Sequence, residues 1–121
     1  MGAVGLIAGL VVLADLNPTV GREQAGTRPC VIVSSSDFTD VRNRLSIVVP
    51  CTTTKRNWTN HVELSGPTGL SATTFAITEQ PRTISSTRIH RVLGSVDDKT
   101  LDQVVRWVHT WIQVPERNHA S

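Results

Sequence analysis

The stretch 15–34, Asp-Leu-Asn-Pro-Thr-Val-Gly-Arg-Glu-Gln-Ala-Gly-Thr-Arg-Pro-Cys-Val-Ile-Val-Ser, constrains the fold more than any other part of the chain. It reads as the end of one strand, a long polar loop with Gly21 and Gly26, and a second, apolar strand. The loop carries Arg22, Glu23, Gln24 and Arg28, which such a segment leaves in solvent. Pro29 holds Arg28 extended, because its ring disfavours the helical region for the residue before it. It also opens the next strand, where a missing N–H costs least. A cation fixed at the mouth of a buried strand can be aimed at a ligand. By itself, though, the stretch leaves Arg28 an ordinary solvated arginine, as most are.

The remaining pattern is short strands and one helix. Residues 10–16 form the first expected strand, stopped by Asn17-Pro18, and residues 30–34 the buried second. Ser36-Asp37 is a candidate cap for a single helical turn. Residues 45–52 (Leu-Ser-Ile-Val-Val-Pro-Cys-Thr) form the next buried strand, with Pro50 implying a bulge or an edge position. A loop with Lys55, Arg56 and Trp58 follows, then an alternating strand at 61–64 and a turn at Gly66-Pro67-Thr68-Gly69. Residues 73–78 are a further strand, and the segment Glu79-Gln80-Pro81-Arg82-Thr83-Ile84 comes after it. Residues 91–94 are a last short strand. The period then becomes helical: Leu101, Val104, Val105, Val108 and Ile112 form one apolar stripe, with Asp97 as its N-cap. Trp107 and Trp111 widen that stripe, as core or as a partner surface. Several short strands and one helix describe a mainly β, partly open small barrel with a C-terminal helix across it. With no repeat or linker in 121 residues, a single domain spanning 1–121 is expected.

Charge says more by its distribution than by its sum. The formal net charge is only +2, yet Arg22, Arg28, Arg42, Arg44, Lys55 and Arg56 cluster early, and Arg82, Arg88 and Arg91 later. Local basic surface on a nearly neutral chain points to an anionic ligand at one place. Cys30 and Cys51 each lie in an apolar run and read as buried thiols of a reducing, cytoplasmic compartment. His61, His90, His109 and His119 are scattered without ligand spacing, so neither a metal nor another cofactor is expected. The apolar opening, residues 3–14, lacks a basic n-region and is too short to span a bilayer, so no membrane association is expected.

A second element gives Arg28 its context. If the strands flanking the two loops pair antiparallel, the start of one lies beside the end of the other. Arg28 and Thr52 then share one rim of the sheet.

Here the residues carry a resemblance. Ala14-Asp15-Leu16-Asn17-Pro18, Gly21-Arg22-Glu23-Gln24, Thr27-Arg28-Pro29, Val31-Ile32-Val33-Ser34, Val48-Val49-Pro50-Cys51-Thr52, Glu79-Gln80-Pro81-Arg82-Thr83-Ile84 and Leu93-Gly94 follow in order. Together they resemble the MazF/PemK family of toxin endoribonucleases over residues 9–114. The resemblance implies an SH3-like small barrel of the MazF/CcdB type and a homodimer. It implies the toxin of a type II toxin–antitoxin system, held by a MazE-like antitoxin whose disordered tail wraps it. The implied activity is sequence-specific, metal-independent cleavage of single-stranded RNA, whether messenger, transfer or ribosomal. The family's catalytic arginine and threonine map onto Arg28 and Thr52, and its loop acid onto Glu23. Arg22, Gln24, Thr53, Lys55, Arg56, Trp58, Gln80 and Arg82 are the candidate RNA contacts. The chain departs from the family at its first strand, which has Ala8-Gly9-Leu10-Val11-Val12-Leu13 where an Arg-Gly-Asp or Arg-Gly-Glu start with aromatic residues is usual. Trp58 is then the candidate for base stacking.

Those residue types suit the chemistry. When a ribose 2′-OH attacks its own phosphate, negative charge gathers on the non-bridging oxygens, and the products are a 2′,3′-cyclic phosphate and a 5′-OH. A guanidinium offers planar paired donors to such oxygens, and preorganised charge is usually the largest catalytic contribution. A guanidinium stays protonated, so Arg28 suits a stabiliser or acid; Glu23 or His61 could take the proton. Two rivals remain from other classes. A CcdB-type gyrase poison shares the fold but needs neither Arg28 nor Thr52. An SH3-like peptide-binding module wants an aromatic groove, and only 4% of this chain is aromatic.

Overall fold

The computed structural model describes residues 6–17, 21, 24–38 and 44–114. Among these residues, seven strands, β1 (Leu10–Asp15), β2 (Thr27–Ile32), β3 (Leu45–Thr52), β4 (His61–Glu63), β5 (Phe75–Ile77), β6 (Arg82–Ser85) and β7 (Ile89–Ser95), precede one α-helix, α1 (Asp98–Ile112). All described pairings are antiparallel, and the strand path runs β4-β5-β3-β2-β1-β7, with β6 also paired to β3. The sheet curls but does not close, since β4 and β7 end the path. This is the mainly β, barrel-like architecture with a C-terminal helix that the pattern predicts.

Both faces of the central strands are buried, which is why they read as unbroken apolar runs. Neighbouring residues alternate between faces. Val11, Val31, Val49 and Cys51 pack with Val62, Ala76, Val96, Val104 and Val108 beneath α1. Val12, Ala14, Cys30, Ile32 and Val48 pack on the other side with Leu16 and Ile84. Cys30 and Cys51 therefore belong to different clusters, and both are free, buried thiols.

Several boundaries differ from the sequence reading. β2 begins at Thr27 rather than Cys30, because β1 pairs with it as far as Asp15↔Thr27. Pro29 is thus the third residue of its strand, not the first. β5 is shorter than 73–78 and β7 longer than 91–94, and residues 82–85 form a strand that the proline-containing segment obscured. Residues 36–38 make a turn, with the Phe38 N–H 3.4 Å from Ser35 Oγ, and no helix is described there.

Pro50 lies neither at a sheet edge nor, among the described pairs, at a bulge. It occupies the place where β3 changes partners, from β6 (Val48↔Arg82) to β5 (Cys51↔Ala76). A residue without an N–H is tolerated there because no partner on that side asks for one.

The helix stripe is narrower than its sequence suggests. Val104 is fully buried and Val108 nearly so, but Val105 is 40% exposed and Ile112 is exposed as well. Asp97 caps α1 by accepting from the Thr100 N–H at 2.8 Å. The hydrogen bonds from Thr100, side chain first, hold the Asp97 carboxyl below the usual range. Trp107 and Trp111 stack at 5.5 Å, and the Trp111 indole donates to Thr78 Oγ1 at 3.3 Å. That bond ties the end of the helix to the segment joining β5 and β6. Among the described residues, no helix is long and apolar enough to cross a membrane.

Candidate active site

Two prolines open the sheet where the candidate residues lie. The β2–β3 ladder runs from Ile32↔Val48 to Cys30↔Pro50 and ends there. Neither Pro29 nor Pro50 has an N–H to continue it. Two residues beyond that last pair, Arg28 and Thr52 border a cleft of about 250 Å³, with Pro29, Cys51, Thr53, Leu70, Ser71, Ala72 and Thr74 around it. The expected shared rim is present.

Each of the two is fixed by its own backbone surroundings. Arg28 Nε donates to the Ala25 carbonyl at 2.8 Å, within the turn that Gly26 makes at φ +79. Thr52 Oγ1 accepts from the Thr54 N–H at 3.1 Å, so its own proton is free to be donated elsewhere. The far wall, 70–74, is held by the turn before it. Pro67 accepts from the Ser95 N–H at 3.0 Å, and a Cβ on Gly94 would collide with the backbone of Pro67 and Thr68. Gly94 is therefore a close-approach glycine that lets the turn lie on β7.

Thr52 also borders a second cavity of about 260 Å³, together with Gln24, Arg56, Trp58, His61, Ile77, Glu79 and Gln80. A third of about 190 Å³ continues past Gln24, Glu79 and Gln80 to Pro50, Pro81 and Arg82. Shared lining makes these one groove. The Gln24 N–H donates to Gln80 Oε1 at 2.9 Å and closes the loop onto it.

Most candidates gather along this groove, though not all equally. Gln24, Arg56, Trp58 and Gln80 line its middle, and Thr53 lines the Arg28 cleft. Arg82 borders the far end, but its Nη1 donates to the Leu16 carbonyl at 3.0 Å, so part of its work is tying β6 to the residue that follows β1. Lys55 is exposed on the same loop and lines none of the three cavities. Arg22 and Glu23 lie outside the described residues.

His61 is not placed to take a proton from a substrate. Its Nε2 lies 3.1 Å from Glu79 Oε1 and 3.2 Å from Oε2, and its Nδ1 is buried without a partner. The acid it faces, Glu79, is a site-lining residue that the sequence reading passed over. Two signals were available: its adjacency to the candidate Gln80 and its place at the head of the Glu79-Gln80-Pro81-Arg82-Thr83-Ile84 block.

A larger cavity, about 540 Å³, lies elsewhere, between α1 and β4. Glu63 and Asp97 oppose Lys99 in its lining, and it touches neither Arg28 nor Thr52, so it suits an anionic substrate less well. Among the described residues, no three His, Cys, Asp or Glu side chains are grouped to hold a metal ion.

A proline-ended ladder with an arginine and a threonine at its mouth can be compared with known proteins. A family model described as "PemK-like, MazF-like toxin of type II toxin-antitoxin system" matches residues 8–112. The chain belongs to that family. The family match includes both Arg28 and Thr52 and the whole groove between them. Among PemK-like, MazF-like relatives, the chain is 34% identical over 102 residues to "Endoribonuclease EndoA" of Bacillus subtilis (strain 168), covering 79% of this chain and 84% of that one. It is 36% identical over 104 residues to "Endoribonuclease PemK" of Escherichia coli, covering 79% and 77%. MazF from Deinococcus radiodurans shares the fold with a TM-score of 0.81 at 21% identity, over 93% of this chain and all of that one. A mycobacterial endoribonuclease solved with its cognate antitoxin shares it at 0.71 and 21% identity, over 92% and 98%.

Proposed function

We propose that this chain is a sequence-specific, metal-independent endoribonuclease, acting as a single-domain toxin on single-stranded RNA. The observation that carries the reading is the cleft between β2 and β3, with Arg28 on one lip and Thr52 on the other. The scissile phosphate lies between them. The ribose 2′-OH attacks the adjacent phosphorus, the bond to the 5′ oxygen breaks, that oxygen takes a proton from solvent, and the products end in a 2′,3′-cyclic phosphate and a 5′-OH. Arg28 supplies paired charged donors to the non-bridging oxygens as their charge grows. Thr52, its oxygen already accepting from Thr54, donates its proton to the same phosphate. Glu23, five residues before Arg28 in the sequence, takes the 2′ proton; this role rests on the family pattern alone. The groove past Thr52 carries the neighbouring nucleotides, with Arg56 and Arg82 as cations and the half-exposed Trp58 as a stacking ring.

Relatives named as endoribonucleases support the activity, and the antitoxin complex of a structural neighbour supports a cognate MazE-like partner. The protein is taken to act in the cytoplasm, as a homodimer whose two copies share the RNA. A gyrase poison would have no use for the Arg28–Thr52 cleft.

The test is digestion of a long RNA by the purified protein in EDTA, followed by mapping of the ends. Cyclic-phosphate and 5′-OH termini at recurring short sequences are expected. A substrate with deoxyribose immediately 5′ of the cut should resist; cutting of that substrate would falsify the mechanism.

A further inference from the structure

Glu79 is held from behind and left open in front. Asn60 Nδ2 donates to its Oε1 at 2.7 Å, and His61 Nε2 approaches both carboxylate oxygens. The His61 side chain is only 4% exposed, whereas that of Glu79 is 32% exposed. A carboxylate has about four lone-pair sites. Asn60 and His61 do not use all of them, and the partly exposed Glu79 lines the cavity it shares with Thr52.

The rest of that cavity suits one flat ring. Trp58 leans on His61 with ring centroids 4.9 Å apart, and the Arg56 cation lies 5.8 Å from the indole. Gln80 Oε1 is occupied by the Gln24 N–H, which orients the amide and leaves its NH₂ as a donor. The volume of about 260 Å³ falls just below the range of roughly 300–1,000 Å³ usual for whole small-molecule sites. It fits a single ring system better than a complete nucleotide.

We propose that this cavity reads one nucleobase beside the scissile phosphate, and that Glu79 selects a base with an exocyclic amino group over uracil. The inference rests on the endoribonuclease reading and adds to it a specificity-determining residue. A carboxylate only accepts, so the amino groups of adenine, cytosine and guanine are matched to it. Uracil presents a carbonyl on each side of its lone ring N–H, and those oxygens are repelled. Stacking on Trp58 tolerates any base and provides affinity. Glu79 provides the choice, and Asn60 and His61 are positioning residues that keep its oxygens aimed.

The test uses Glu79→Gln, which keeps the shape and the Asn60 contact but replaces one acceptor with a donor. Wild type and variant digest the same mixed-sequence RNA, and the bases flanking each cut are counted. Uncleavable 2′-O-methyl oligonucleotides of adenine, cytosine or uracil alone give equilibrium binding beside it. Wild type should disfavour uracil at one flanking position, and the variant should lose roughly ten- to a hundredfold of that preference. Binding should shift toward uracil by a similar factor. An unchanged preference in the variant, or a wild type indifferent to uracil at every flanking position, overturns the proposal. If the wild type cuts no RNA, the endoribonuclease reading fails separately, and the oligonucleotide binding alone decides the role of Glu79.

Discussion

Arg28 donates its Nε–H to the Ala25 carbonyl at 2.8 Å, and no described residue accepts from its two terminal nitrogens. The backbone thus orients the guanidinium plane, while the paired donors that match a phosphate remain. Orientation is what a lysine at this position would lose.

Arg28→Lys should therefore behave almost like Arg28→Ala. An ammonium keeps the charge but has neither the planar fork nor the Nε–H that anchors it. Loss of such a donor costs about two to three orders of magnitude in rate. Single-turnover cleavage should show that loss in both variants, with melting temperature and oligomeric state unchanged. Cleavage by Arg28→Lys at the parental rate would mean that charge alone suffices.

Thr52 has one hydroxyl with two duties, accepting from the Thr54 N–H and donating to the phosphate. Thr52→Ser keeps both and should stay within about tenfold of the parental rate, while Thr52→Val keeps the shape and loses both. The ratio between the two variants is the measurement. Equal rates for serine and valine would remove the hydroxyl from the mechanism.

The sequence disclosed this cleft because local chemistry and topology agree there. Arg28-Pro29 and Pro50-Cys51-Thr52 each set a residue without an N–H near a strand end, and the antiparallel pairing of β2 with β3 brings those two ends together. β6 was hidden because the Pro81-Arg82 start looks like a loop until β3 is known to need a partner at Leu45–Val48. Glu79 was hidden for another reason. Its meaning comes from Asn60 and His61, which lie 19 and 18 residues away in the chain and meet it only across the β4–β5 pairing.

The two thiols give a pH dependence of known sign. Burial pushes the Cys30 thiol up to about 12, against the opposing charges of Arg82 and Arg28, and burial raises Cys51 too. In the unfolded chain both ionise near the ordinary value of 9.0. Between these values the unfolded state has lost protons that the folded state retains, so stability falls as pH rises above about 9, by about 1.4 kcal/mol per unit for each thiol. Cys30→Ala leaves a small cavity and should be the less stable protein at pH 7. Its deficit should shrink as pH approaches 10, because it has one fewer buried thiol to keep neutral. Urea midpoints across that range read the gap, and a constant gap would contradict the assignment.

Val104 and Val105 are adjacent in sequence and opposite in surroundings, and they test the placement of the helix. Val104 is fully buried against the sheet, among Val11, Val49 and Val62, whereas Val105 is 40% exposed. An aspartate at 104 would bury a charge with no partner in that apolar cluster. Unpaired buried charges belong to the rare substitutions that cost more than about 4 kcal/mol. Domains of this size are stable by only about 5–15 kcal/mol, so Val104→Asp should leave little folded protein at 37 °C. Val105→Asp sets its carboxylate in water three residues after Asp102, a like charge one turn back. Helical pairs at that spacing repel by only about 0.2–0.5 kcal/mol. Circular dichroism melts of the two variants should differ by tens of degrees. Similar destabilisation by both would show that the helix is rotated relative to the packing described, with Val105 turned toward the core.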